Sequence, residues 1–284
     1  MEKGRRRIGA SIGLAPFFLY AGIFLVIPTV VVFIQAFTAP GGGFTLAGMK
    51  ALKSPSTIQI TKDTVVLSLT TALIGAVVGA VVAYVVSTAD KEGMLRRVVT
   101  SGCGILAQFG GVTLAFAFIA TVGRNGVVTP FLADIGINLR DSTFLFSLNG
   151  LTLVYTYFQI PLMVIVFLPA VDGLRPQWRE AADNLGASTW QFWRYVGVPV
   201  LLPAFLGSAL LLFANAFAAY ATARALINQA NPILALKIGN SLGNELLGAQ
   251  SNLAASLAFE MVVIVAVVMF AYARLQKRTS GWLS

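Results

Sequence analysis

Long apolar runs alternate with short polar stretches along the chain, at lengths that suit helices crossing a membrane. Six runs stand out, over residues 8–37, 64–87, 101–122, 147–171, 198–224 and 253–272. Each meets or exceeds the roughly 20 residues that a hydrocarbon core of about 30 Å requires. The first run, interrupted by Pro16 and Pro28, exceeds the apolar core of about 7–15 residues found in a cleavable signal peptide, so an uncleaved first span is expected. Residues 40–63 are glycine-rich and polar and are expected to form an outer loop. Gly126, Pro130 and Gly136 predict short irregular or interfacial helices before Phe146. In the second run, Ser68, Ala72, Gly75, Gly79 and Ala83 put small side chains on one helical face, which predicts close packing against a neighbouring helix.

The polar, aromatic-rich stretch 176–199 lies between the fourth and fifth runs. Pro176 suits the first turn of a helix, where its missing amide hydrogen costs nothing, and Gly186 ends that helix. Ser188 and Gln191 have capping-box spacing, so a second short helix is expected from about Thr189 to Tyr195, stopped by Gly197 and Pro199. The segment displays Trp178, Trp190, Trp193 and Tyr195 beside Arg179, Glu180, Asp183 and Arg194, and is too polar for lipid. A surface that touches another protein is the expected use.

Composition agrees with membrane residence: 57% of residues are hydrophobic, 11% are charged, and mean hydropathy is +0.81. The net charge of +9 does not indicate nucleic acid, because its carriers are scattered through short loops. Lys3, Arg5, Arg6, Arg7, Lys91, Arg96, Arg97, Arg175, Arg179, Arg194, Arg274, Lys277 and Arg278, thirteen of the twenty basic residues, fall on the side that holds both termini and the 176–199 segment. The positive-inside rule makes that side cytoplasmic. Cys103 is the single cysteine and histidine is absent, which excludes an internal disulfide, histidine triads and the usual zinc sites. No G-x-x-x-x-G-K-[ST] loop occurs, so this chain is not expected to bind or hydrolyse ATP; no catalytic residue, bound cofactor or metal is expected in it.

Polar residues inside the runs are the candidates for a translocation pathway. Glu260 falls about 12 Å below the outer end of the last run, counted from Asn252 at about 1.5 Å per residue, where a carboxylate must face protein, water or a cation. Asn252, Ser256 and Glu260 recur every four residues and form one stripe. Thr152, Tyr155 or Thr156, and Gln159 form another; Ser208, Asn215 and Thr222 recur every seven. The alternative use for any single hydroxyl is a hydrogen bond between helices.

Glu180-Ala181-Ala182, three residues, Gly186, nine residues, then Val196-Gly197-Val198-Pro199 resembles the EAA motif of permeases in bacterial ATP-binding-cassette importers, with valines where the family usually has isoleucine and leucine. The resemblance implies an all-α integral membrane protein, a single permease domain of six transmembrane helices with a cytoplasmic coupling-helix segment, in the bacterial inner membrane. It implies that Glu180, Ala181, Ala182, Gly186 and Pro199 couple the chain to an ATPase that holds the ATP and magnesium. Glu180 would meet a basic partner, or pair locally with Arg179 or Arg194. The implied partners are a second, different permease chain, two ATPase subunits and an extracytoplasmic binding protein. Leu185-Gly186-Ala187 resembles the branch that imports polyamines, iron, phosphonates, sulfate or thiamine; within it, Leu14-Ala15-Pro16-Phe17-Phe18, Gly123-Arg124-Asn125-Gly126 and Gln159-Ile160-Pro161 are most similar to spermidine/putrescine permeases, and Glu260 would suit such a cation. A gradient-driven secondary transporter is the competing reading; it predicts two related halves and several intramembrane ionisable groups.

Overall fold

The structure is a computed structural model that describes residues 15–39, 41–136, 144–227, 233–246 and 252–279. Lys3, Arg5, Arg6, Arg7 and residues 8–14 of the first predicted span lie outside the described residues, as do the side chains of Lys277 and Arg278. The helices are α1 (Ala15–Ala36), α2 (Ala47–Leu52), α3 (Pro55–Thr88), α4 (Met94–Gln108), α5 (Gly111–Val122), α6 (Thr129–Asp134), α7 (Leu148–Asp172), α8 (Pro176–Asn184), α9 (Thr189–Phe192), α10 (Val198–Ala218), α11 (Ala221–Leu226), α12 (Leu234–Leu246) and α13 (Leu253–Thr279). Among the described residues, five helices, α1, α3, α7, α9 joined to α10, and α13, are long and apolar enough to cross a membrane, and the bent pair α4 and α5 brings the number to six if the two count as one span. The fold is all-α, as the hydropathy pattern predicts.

Several boundaries differ from the predicted ones. The polar stretch 40–63 is partly helical: α2 lies within it, and α3 starts at Pro55, with Pro at its first turn, and runs for 34 residues. The predicted third span is two helices that meet at 102°, because Gly110 and Gly111 break the run and Gly111 takes φ +68. The predicted fifth span stops at Ala218 and resumes as α11. Gly197 and Pro199 do not stop the helix after Ser188. A π turn over Trp193–Gly197 carries α9 into α10, with the Val198 amide donating to the Trp193 carbonyl. Pro199 has no amide to give Tyr195, and its ring would clash with that carbonyl in a regular helix; the wider turn accommodates both. Gly197 leaves room for the Trp193 ring, since a Cβ there would lie 2.5 Å from Cε3.

The chain divides into two compact units, Met1–Ile58 with Lys237–Val263, and Gln59–Leu236 with Ile264–Ser284. In the first, α13 holds the end of α1. Asn252 Nδ2 donates to the carbonyl oxygens of Gln35, at 3.0 Å, and Thr38; Ser256 Oγ donates to that of Ala36 at 3.4 Å. The Phe259 ring meets Phe33 and Phe37 edge-on, with centroids 5.0 and 5.2 Å apart.

The second unit has a core built on α7. Leu151, Val154, Tyr155 and Phe158 pack with Leu67 of α3, Leu114 of α5, Ala216 of α10 and Leu226 of α11. Lipid tails are as apolar as leucine, so helices in a bilayer associate through close contact rather than hydrophobic drive. The small-residue face of α3 supplies that contact. A Cβ at Gly75 would lie 2.6 Å from Gln159 Cβ, and one at Gly79 would lie 2.5 Å from Met163 Cβ. Two side chains bond to backbone at the helix breaks: Tyr155 Oη donates to Ala219 O at 2.8 Å, and Thr222 Oγ1 to Gly111 O at 3.1 Å.

Candidate functional site

The 176–199 segment is a helix, a tight turn and a second helix, each junction specified by local sequence. After α8, Gly186 adopts φ +73, its amide donates to Asp183 O and the Ala187 amide to Ala182 O, both at 2.9 Å. This is a Schellman ending, in which a left-handed residue lets two amides reach back to the last turn. Two residues on, Gln191 N donates to Ser188 Oγ at 3.3 Å and Ser188 N to Gln191 Oε1 at 2.7 Å, a complete capping box. Arg179 braces the corner. Its Nε donates to Asp183 at 3.1 Å, its Nη2 to Thr189 Oγ1 at 2.9 Å, and its guanidinium lies 5.3 Å from the centroid of the buried Phe192 ring.

Arg179 is therefore committed to Asp183, and Arg194 lies over the Tyr195 ring at 5.9 Å, so neither forms the local pair with Glu180 expected as an alternative. Glu180 and Ala181 are exposed, Ala182 and Pro199 half-buried. Leu185 is 87% exposed, Trp190 72% and Tyr195 69%, so the corner presents apolar and aromatic side chains beside the Glu180 carboxylate and the Asp183–Arg179 pair.

The intramembrane candidates separate into different environments. Ser256 is buried on α1 backbone, and Asn252 is bonded to the same end of α1. Glu260 is half-buried, and its negative charge acts on Lys237 of α12; burial pulls the Lys237 pKa down and Glu260 opposes that fall. The second stripe splits by helical phase. Tyr155 and Gln159 are fully buried against α10 and its following break, whereas Thr152 and Thr156 line an open, mostly apolar groove of about 630 Å³ with Asn149 and Tyr157. Asn215 is exposed and lines a smaller cavity of about 200 Å³ with Gly110, Gly111, Tyr220 and Thr222, where the breaks after α4 and α10 meet. Ser208 is buried.

Two charged relationships escape sequence reasoning. Arg96 at the start of α4 pairs with Asp172 at the end of α7, and Lys237 donates to Thr57 Oγ1 at 2.6 Å within the field of the Glu260 charge. Arg96 and Asp172 are 76 positions apart, and Lys237 and Thr57 are 180 apart. The only sequence signal for either is a charge beside an apolar run.

A sequence profile described as "binding-protein-dependent transport system inner membrane component" matches residues 100–281. The chain is similar to the thiamine transport system permease protein ThiP of Escherichia coli K12, 28% identical over 107 residues, which are 38% of this chain and 20% of ThiP. It is also similar to the spermidine/putrescine transport system permease protein PotB of Haemophilus influenzae, 26% identical over 157 residues, 55% of this chain and 54% of PotB. The matched stretches thus span a fifth and about half of those relatives. Among solved structures, a bacterial ATP-binding-cassette transporter for import of the acidic polysaccharide alginate contains a chain with TM-score 0.77 and 20% identity, covering 98% of both chains. That likeness is one of fold.

Proposed function

This chain belongs to the family of inner membrane components of binding-protein-dependent transport systems, and from that membership we propose that it forms half of a solute pathway in an importer driven by a separate ATPase. The observation that carries the reading is the 176–199 corner. Its backbone is held by its own Schellman turn and capping box, yet Leu185, Trp190 and Tyr195 stay exposed beside Glu180. An apolar and aromatic patch with a carboxylate that makes no local ion pair, on a corner held by its own caps, suits a protein groove. The ATPase is that partner, Glu180 meeting a basic residue and Gly186 setting the angle between α8 and α9. Nucleotide closure in the ATPase pair moves this corner and switches the pathway between inward and outward exposure. The corner and both termini are cytoplasmic, in a bacterial inner membrane.

A second, different permease chain completes the pathway, and an extracytoplasmic binding protein delivers the solute. The solute-facing surface of this chain is the Thr152 and Thr156 groove and the Asn215 cavity, which are open, rather than the buried Tyr155 and Gln159. The substrate is a small polar solute, and a polyamine is the first to test, on the similarity to PotB. The negative charge of Glu260, which would suit such a cation, also acts on Lys237.

The test is to isolate the tagged chain from its native membrane in mild detergent and identify its companions by mass spectrometry. A Walker-motif ATPase and a second EAA-type permease are expected, and their binding protein can then be titrated with spermidine, putrescine and thiamine. Uptake by the chain alone in proteoliposomes, responding to an ion gradient and not to ATP, would overturn the proposal.

A further inference from the structure

A cleft of about 430 Å³ opens where the ends of α3 and α7 meet α8 and α9, lined by Tyr84, Ser87, Lys91, Asp172, Arg175, Arg179 and Trp193 among others. Three of these side chains are cationic and one is acidic. The acid is already neutralised, because Asp172 pairs with Arg96. Arg179 is held in place by Asp183 and Thr189, while Lys91 and Arg175 make no ion pair among the described residues. Among the lining side chains this leaves Lys91 and Arg175 as cations without an ion-pair partner, beside Arg179, which Asp183 offsets; the exposed acids Asp90 and Glu92 flank Lys91 but lie outside the lining. Its other wall is aromatic, Tyr84 meeting Trp193 edge-on at 5.1 Å. Tyr and Trp are the residues that settle at the headgroup level of a bilayer. The site lies where long apolar helices end and a polar segment begins, the depth at which lipid phosphates sit.

We propose that this cleft binds the phosphate of an acidic phospholipid headgroup, with Lys91 and Arg175 as its ligands, Arg179 as a fixed neighbouring charge, and the Tyr84 and Trp193 rings against the glycerol and upper acyl chain. Arg and Lys near an anionic membrane surface each strengthen binding by roughly fivefold, so the two free cations together account for about thirtyfold. The lipid would touch α3, α7 and α8 at once and so join the corner to two spans. The cleft shares Arg179 and Trp193 with the corner assigned to the ATPase, but Leu185 and Trp190 lie outside its lining, so the two readings can be tested apart.

The test is native mass spectrometry of the full chain, delipidated in mild detergent and titrated with phosphatidylglycerol or phosphatidylcholine. One tight phosphatidylglycerol is expected, weakened about thirtyfold in Lys91→Gln/Arg175→Gln and kept in Lys91→Arg/Arg175→Lys, which also shows that the site folds. Equal binding of phosphatidylcholine, or undiminished phosphatidylglycerol binding by the Gln pair, would overturn the proposal. Inorganic phosphate is the third arm. Displacement of the lipid by submillimolar phosphate would make this a free-anion site and overturn the lipid assignment. Retention of the lipid there supports it. If the Gln pair also loses a copurified ATPase while keeping its lipid, the cleft belongs to the protein partner and the lipid proposal fails.

Discussion

The Gln159 carboxamide nitrogen donates to the Leu212 carbonyl oxygen at 2.9 Å, inside the core. The other end of the same amide, Oε1, is buried without a hydrogen-bond partner. A buried polar atom left unsatisfied costs about 1–3 kcal/mol, comparable with what the single bond to Leu212 contributes. Replacing the whole amide by an apolar side chain of similar size should therefore be close to neutral. Gln159→Leu is expected to shift detergent thermal stability by less than about 1 kcal/mol and to leave uptake intact. Abolished uptake at unchanged stability would return Gln159 to the solute pathway.

The α3–α7 contact is far less tolerant. A methyl at Gly79 would meet Met163 Cβ at 2.5 Å and the Ile160 carbonyl oxygen at 2.8 Å, and backbone cannot yield as a side-chain tip can. Gly79→Ala should cost about 1–3 kcal/mol through overpacking, read as a lower melting temperature of the purified chain. Gly102→Ala, where nothing lies within 4 Å, is the matched control and should have little effect.

Gly186 is needed for a different reason. Its Cβ position is open, so the restriction is the φ of +73 and not space. Gly186→Ala should weaken the turn by about 1–2 kcal/mol, and Gly186→Asn by less, because asparagine tolerates the left-handed region. Pull-down of the ATPase should follow the order Gly, Asn, Ala. Equal losses for Asn and Ala would point to a direct contact at that position instead of a backbone effect.

Ser188→Ala removes one half of the capping box and should cost about 1 kcal/mol of local helix stability. Hydrogen exchange at Gln191 N, whose acceptor is Ser188 Oγ, should quicken while exchange in α7 is unchanged. Glu180→Gln, at an exposed site with no local ion pair among the described residues, should leave melting unchanged and reduce ATPase binding.

The Lys237 pKa is lowered by burial, and the Glu260 charge holds it up. Glu260→Gln removes that support, so Lys237 should lose its proton at a lower pH than in the parent chain. Titration of the dimethylated lysine by carbon NMR would show the shift. An unchanged or raised pKa would mean that Glu260 directs its charge elsewhere.

Helix existence, the membrane setting and the 176–199 corner were legible in the sequence because each follows from short-range rules. Apolar length sets the spans, Gly186 supplies the left-handed turn, and Ser188 with Gln191 closes a capping box within three residues. The small face of α3 was equally readable, since its period is that of one helix. Tertiary structure alone decided the rest. Whether Tyr155 or Thr156 faces the open groove depends on which side of α7 the core occupies, a choice that helical phase offers and only packing makes. Arg96 finds Asp172, and Lys237 finds Thr57, because the chain returns to the same place after long excursions. The continuation from α9 into α10 was likewise hidden, because Gly197 and Pro199 read locally as stops. A π turn absorbs the proline, and the Trp193 ring occupies the space that Gly197 leaves free.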